Sequence, residues 1–109
     1  MDRHGPTERL AALLDSGGFL SNPLAWNRAL AKAIAHRDGL LALTPRHWVI
    51  IHDLREHYRR FGPAPPAFSH ICRVHHLGPH CICELFRSER EAWRIAGLPD
   101  PGEEAWTYM

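Results

Sequence analysis

Seven side chains able to hold a soft metal or to carry a reactive thiol fall between His70 and Cys83: His70, Cys72, His75, His76, His80, Cys81 and Cys83. Thiolate and imidazole together suit Zn²⁺ or Cu⁺. On a helix Cys72 and His76 stand at i,i+4 on one face, and His80-Cys81-Ile82-Cys83, beyond Gly78-Pro79, can fold back to complete a ligand set of Cys72, His76, His80, Cys81 and Cys83. No Cys-x-x-Cys knuckle is present, so this metal reading is the weaker one. A cysteine beside apolar neighbours more often serves as a small buried hydrophobe, and no cofactor is expected. The same three thiols, Cys72, Cys81 and Cys83, admit a second chemistry: carrying sulfur as a persulfide. That requires an exposed thiolate in electropositive surroundings, which Arg73, Arg87 and the neighbouring histidines can supply. Their odd number and close spacing suggest no disulfide framework, and reduced thiols are expected.

The elements that position these groups come from an ordinary globular composition. The 109 residues are 45% hydrophobic and 23% charged, which points to one domain over 1–109 with a real core. Thirteen basic residues against twelve acidic ones give a net charge of +1, too little to favour a nucleic-acid binder. Apolar runs such as Leu40 to Leu43 and Trp48 to Ile51 are far too short to span a membrane. With no basic segment and apolar stretch at the start of the sequence, a cytoplasmic protein is expected. Arg55, Arg59, Arg60 and Arg73 cluster with His57, His75 and His76 and read first as a solvated face; as the alternative, Arg55, Arg59 and Arg73 are candidates for a partner surface.

Helix signals recur along the chain. Thr7 to Leu14 holds strong helix formers between Pro6 and Gly17-Gly18. Asn22-Pro23 reads as an N-cap with proline at the first helical position, followed by a stripe of Leu24, Asn27, Leu30, Ala31 and Ile34 that ends at Gly39. Thr44-Pro45 repeats that start, and Trp48, Ile50, Ile51, Leu54, Tyr58 and Phe61 form the broadest apolar face, expected on a central helix with Trp48 in the core. His47, in its first turn, reads as hydrogen-bonded scaffold. After the rigid Gly62-Pro63-Ala64-Pro65-Pro66 turn, a short helix through Phe68, Ile71, Cys72 and His75 should stop at Gly78-Pro79. His80 to Phe86 adds a turn or two, and Ser88-Glu89-Arg90-Glu91 has the spacing of a capping box opening the last helix. Helices joined by proline and glycine turns make an all-α bundle of five to six helices. The pair 44–62 and 66–77 also has a helix-turn-helix outline, but Arg73 is the one reliably charged side chain on its second helix, and DNA binding is not expected.

Several separated motifs stand in an informative order: Gly18-Phe19-Leu20 and Trp26; Leu43-Thr44-Pro45-Arg46-His47-Trp48 leading to Tyr58, Phe61 and Gly62; Pro65-Pro66; Leu77-Gly78-Pro79; Glu84-Leu85-Phe86; and Ile95-Ala96-Gly97-Leu98-Pro99. In this order they resemble the DsrC/TusE family of sulfur-relay proteins, over about Asp15 to Pro101. The resemblance implies a helical domain, with a small β-hairpin ahead of the Gly-Phe-Leu motif where the local sequence favours a helix, and a mobile C-terminal arm at 100–109. It also implies a protein partner in sulfur transfer or sulfur oxidation. Members hold sulfur on a penultimate arm cysteine, and many have a second cysteine just before the Ile-Ala-Gly-Leu-Pro run. Here the inner position corresponds to Trp93 and the outer to the neighbourhood of Glu104, and no cysteine follows Cys83. Two stretches, from Pro79 to Glu84 and from Phe86 to Ile95, are shorter than the family pattern. The chain is therefore expected to be a binding or regulatory member, with Trp93, Trp106 and Tyr108 as aromatic anchors. An active carrier using Cys72, Cys81 or Cys83 is the alternative.

Overall fold

The computed structural model describes Leu10 and residues 12–102. Leu10, Ala12 and Leu13 are helical, in keeping with the helix expected over 7–14 as far as that segment is described. The hairpin implied by the family survives beside it as a single antiparallel bridge between Leu14 and Leu20. Asp15 organises the reversal: its carboxylate accepts from the Gly17 and Phe19 amides, both at 2.9 Å, while Gly18 takes φ +83°. Both elements coexist because the turn is closed by one side chain and needs no run of β-formers.

Five α-helices follow: α1 (Arg28–Arg37), α2 (Pro45–Phe61), α3 (Phe68–Val74), α4 (Cys81–Phe86) and α5 (Glu89–Ile95). The Asn22-Pro23 signal opens a short 3₁₀ turn, Pro23–Ala25, rather than the helix expected there. Asn27, read from sequence as part of the apolar stripe, is instead the cap of α1, its Oδ1 accepting from the Leu30 amide at 2.7 Å. Ala31, Ile34 and Ala35 are the buried side of that helix. Thr44 and Ser88 cap α2 and α5 as their motifs predict, Ser88 Oγ accepting from the Glu91 amide at 3.1 Å.

Three helices end in the same way. After α1, α3 and α5 the residues Gly39, His76 and Gly97 adopt positive φ, and the next residue, a leucine each time, returns its amide to the carbonyl five positions back: Leu40 to Ala35, Leu77 to Cys72, Leu98 to Trp93. This closure satisfies carbonyls that would otherwise be orphaned, and it folds an apolar side chain onto the end of the helix. All three leucines pack on or in the core.

The core gathers on α5, which packs against α1, α2 and α4, while α2 also packs against α3 and α4. Trp93, Phe86, Ile50, Leu54 and Ile95 are fully buried there. Trp48, expected in the core, is half-buried at the side of α2, with the Arg28 guanidinium 4.0 Å above its ring. The α2 stripe is rotated toward His47, Ile50, Ile51 and Leu54, which leaves Phe61 69% exposed. Among the described residues no helix is long and apolar enough to cross a membrane.

Candidate functional site

The cysteine and histidine region lies where α3 meets α4. Cys72, two residues before the end of α3, and Cys81, the first residue of α4, are joined in a disulfide with Cα atoms 5.8 Å apart. The expectation of three reduced thiols is thereby corrected. The reversal through His76, Gly78 and Pro79 brings together two residues nine apart, a closure that spacing alone does not reveal. Both are buried, whereas Cys83 is a free, exposed thiol. It borders a cleft together with Pro66, Phe68, His80 and Glu89.

The metal set Cys72, His76, His80, Cys81 and Cys83 is not assembled. Two of its sulfurs are bonded to each other, α3 stops at Val74 so that His76 no longer shares a helical face with Cys72, and His76 and His80 point to solvent. Among the described residues no group of three metal-binding side chains converges. His75 serves the fold instead, its Nε2 contacting Asp53 Oδ2 on α2 at 2.5 Å.

His47 is scaffold, as its position predicts. Its Nδ1 lies 3.0 Å from the Thr44 amide, which can only donate, and its Nε2 lies 2.7 Å from the Leu85 carbonyl, which can only accept. The ring proton therefore resides on Nε2, and one imidazole ties the start of α2 to α4.

The Ile-Ala-Gly-Leu-Pro run forms the other half of the site. Trp93, expected at a partner surface, is wholly buried, and its indole Nε1 donates to the Pro99 carbonyl at 2.8 Å. It holds the departing chain from inside the core. Trp26 covers the turn from outside: its Nε1 donates to the Ile95 carbonyl at 3.0 Å, and its Cγ and Cδ1 press against Gly97. Arg55 straps the same turn to α2, donating to the Ala96 carbonyl at 2.8 Å and the Pro23 carbonyl at 3.2 Å, with its guanidinium 4.2 Å above the Trp26 ring. Burial lowers its pKa from the usual arginine value.

Beside this turn an open cleft of about 580 Å³ is walled by Trp26, Trp48, Tyr58, Ile51 and Leu98. Its rim carries Arg28, His52, Arg55 and Arg59. Glu56 is the one acidic residue lining it, and that carboxylate is bound by Arg59 and Arg60. The hydrogen bond from Arg59 is the main cause that draws the Glu56 pKa down to about 2, and the same bond raises that of Arg59. Of the three arginines singled out in the sequence, Arg55 and Arg59 thus border one cleft, while Arg73 stands apart in the last turn of α3. The cleft itself escaped sequence reasoning. The signal that could have found it is the placement of Trp26, Trp48 and Tyr58 just outside the fully apolar positions of their elements. Trp106 and Tyr108 lie outside the described residues.

Residues 7–103 match the family model described as DsrC like protein. The sulfurtransferase TusE of Salmonella typhimurium is 32% identical over 95 residues, spanning 80% of this chain and 86% of that protein. Among solved structures, the oxidised gamma-subunit of the dissimilatory sulfite reductase (DsrC) from Archaeoglobus fulgidus is 34% identical with a TM-score of 0.67, covering 82% of this chain and 88% of that one. Allochromatium vinosum DsrC is 32% identical with a TM-score of 0.67, covering 82% and 86%.

Proposed function

This chain belongs to the DsrC-like family, and we propose that it works in sulfur trafficking as a binding or regulatory member, engaging a protein of a sulfur-transfer or sulfur-oxidation pathway in the cytoplasm without carrying sulfur on its arm. The observation that supports this reading is Trp93. At the place where the family resemblance puts an inner cysteine, a fully buried indole is hydrogen-bonded to the Pro99 carbonyl, and no cysteine follows Cys83 to accept sulfur farther along. A thiol that is absent cannot hold a persulfide. Binding then falls to the arm's aromatic residues, Trp106 and Tyr108, since large rings with few torsions make efficient anchors.

A second reading rests on Cys83. It is exposed and unpaired, so a persulfide could form there by attack of its thiolate on the outer sulfur of a donor persulfide, with the donor's thiolate as leaving group. Intact-mass analysis after incubation with a low-molecular-weight persulfide separates the two. The binding reading expects no stable gain. A gain of about 32 Da that vanishes in Cys83→Ser establishes the carrier reading instead. Pull-down from the native host with the full chain and with a chain ending at Gly102 tests the arm: recovery of a sulfur-metabolism complex should require the arm, and equal recovery by both refutes its role.

A further inference from the structure

Two arginines of the aromatic cleft lack a counter-ion. Arg55 is half-buried; it donates to the carbonyls of Ala96 and Pro23, and its guanidinium rests on the Trp26 ring. Arg28 rests in the same manner on Trp48. Among the described residues neither is ion-paired, and Glu56, the one carboxylate lining the cleft, is already engaged by Arg59 and Arg60. A half-buried cation leaning on carbonyls and a ring is costly to keep, as the lowered pKa of Arg55 reflects, and an anion placed beside it offsets that cost. A guanidinium has five N–H donors, so the two bonds of Arg55 leave others for a ligand.

The space these cations border has the size and lining of a small-molecule site. Its volume of about 580 Å³ lies within the range that small organic ligands fill, and apart from the rim its walls are aromatic or aliphatic. Trp26, Trp48 and Tyr58 are each partly exposed and favour a flat ligand, since rings attract one another by offset stacking and edge-to-face contact. A nucleic-acid strand fits poorly, because neutralising its phosphates calls for a longer track of cations. An aliphatic chain would leave the ring geometry unused.

We propose that this cleft is a binding site for a small planar aromatic anion, its ring system lying among Trp26, Trp48 and Tyr58 and its anionic group met by Arg28 and Arg55. The attraction combines ring packing with charge-assisted hydrogen bonds from guanidinium groups that the tryptophans already hold in place. Leu24, 90% exposed at the lip, gives the bound ring an apolar cover. The site uses neither a thiol nor the arm, so it stands whether or not the partner reading above holds.

The test titrates the ¹⁵N-labelled full chain with 2-naphthoate, the indole N–H signals being assigned by Trp26→Phe and Trp48→Phe. The expected result is saturable 1:1 binding with a dissociation constant below about 1 mM, the affinity that ordinary ligand efficiency gives a molecule of this size. The Trp26 and Trp48 signals should move while that of Trp93, in the core, stays in place. Uncharged 2-naphthamide should bind about tenfold more weakly, and Arg28→Glu should weaken naphthoate binding by about as much. Octanoate, an anion without a ring, and the Leu24→Asp variant should also bind more weakly. Arg28 and Leu24 are both exposed, and melting curves verify that the variants fold. Absence of saturable binding at millimolar naphthoate overturns the proposal. Equal affinity for 2-naphthamide does so by showing that the arginines take no part, and equal affinity for octanoate by showing that the rings take none. Binding unchanged in both variants places the ligand elsewhere and overturns it too. Loss of naphthoate binding as the protein concentration rises assigns the cleft to a second copy of the chain, and the proposal falls.

Discussion

Gly97 lies so close under Trp26 that a β-carbon at that position would come within 2.0 Å of the indole Cδ1. Glycine is required there twice over, since the residue also has φ +73°. Gly97→Ala should therefore cost about 2–4 kcal/mol, adding the left-handed penalty to overpacking. In a Trp26→Ala background the steric part disappears, and the added cost should fall to about 1–2 kcal/mol. A double-mutant cycle by urea denaturation measures the difference; strict additivity would show that the two residues do not press on each other.

The two tryptophans of the domain's flanks and centre should separate cleanly in stability. Trp93→Ala empties the middle of the core and should cost about 3–5 kcal/mol. Trp48→Ala removes a half-buried ring and its stacked arginine, for about 1–2 kcal/mol. Denaturation midpoints of the two variants check the order, and the reverse order would contradict the placement of α2.

Under non-reducing native conditions a maleimide should label one thiol, Cys83, and after unfolding with reductant it should label three. Both bonded sulfurs are buried, so reduction of the native protein should be slow and should accelerate with denaturant. The paired Cys72→Ala, Cys81→Ala variant loses a short covalent loop and should be less stable by about 2–3 kcal/mol. Labelling of three thiols in the native, oxidised protein would exclude the bridge.

Glu56 should titrate near pH 2 in a carboxyl-detected NMR experiment, and Arg59→Ala should return its midpoint toward the ordinary 4.5. Because the folded value is the lower one, the contribution of this group to stability is complete above about pH 4.5 and is lost as the pH falls toward 2. The carboxylate is exposed, so added salt should shrink the shift.

What was legible in the sequence divides along the range of the interactions. Thr44-Pro45 and Ser88 are local devices whose partners lie within a few residues, and both open helices where read, although at α5 only the Ser88 half of the capping box forms. At Asn22 and Asn27 two equally good caps compete, and burial of the helix that follows decides between them, so the start of α1 was misplaced. The stripe on α2 fixed a face only to within one residue position, enough to bury His47 and to leave Trp48 on the flank. The Cys72–Cys81 bridge depends on how tightly the chain reverses through His76, a residue whose left-handed backbone no local pattern announces. Of the candidate site, the family motif pointed to the turn at Gly97, while the aromatic cleft needed Trp26, Trp48 and Leu98 to be brought together from three separate elements.

The shared ending of α1, α3 and α5 makes each of these helices a sealed module. Once Leu40, Leu77 or Leu98 has folded back, nothing beyond it is needed to complete the helix or the core beneath. Segments can then be lengthened, trimmed or recomposed downstream of these three points at little cost to the body they leave. The connection after Leu77 is short here and is stapled from Cys72 to Cys81, and the sequence after Leu98 carries Trp106 and Tyr108 and no cysteine. One architecture thus keeps its body constant while its exits are free to diversify.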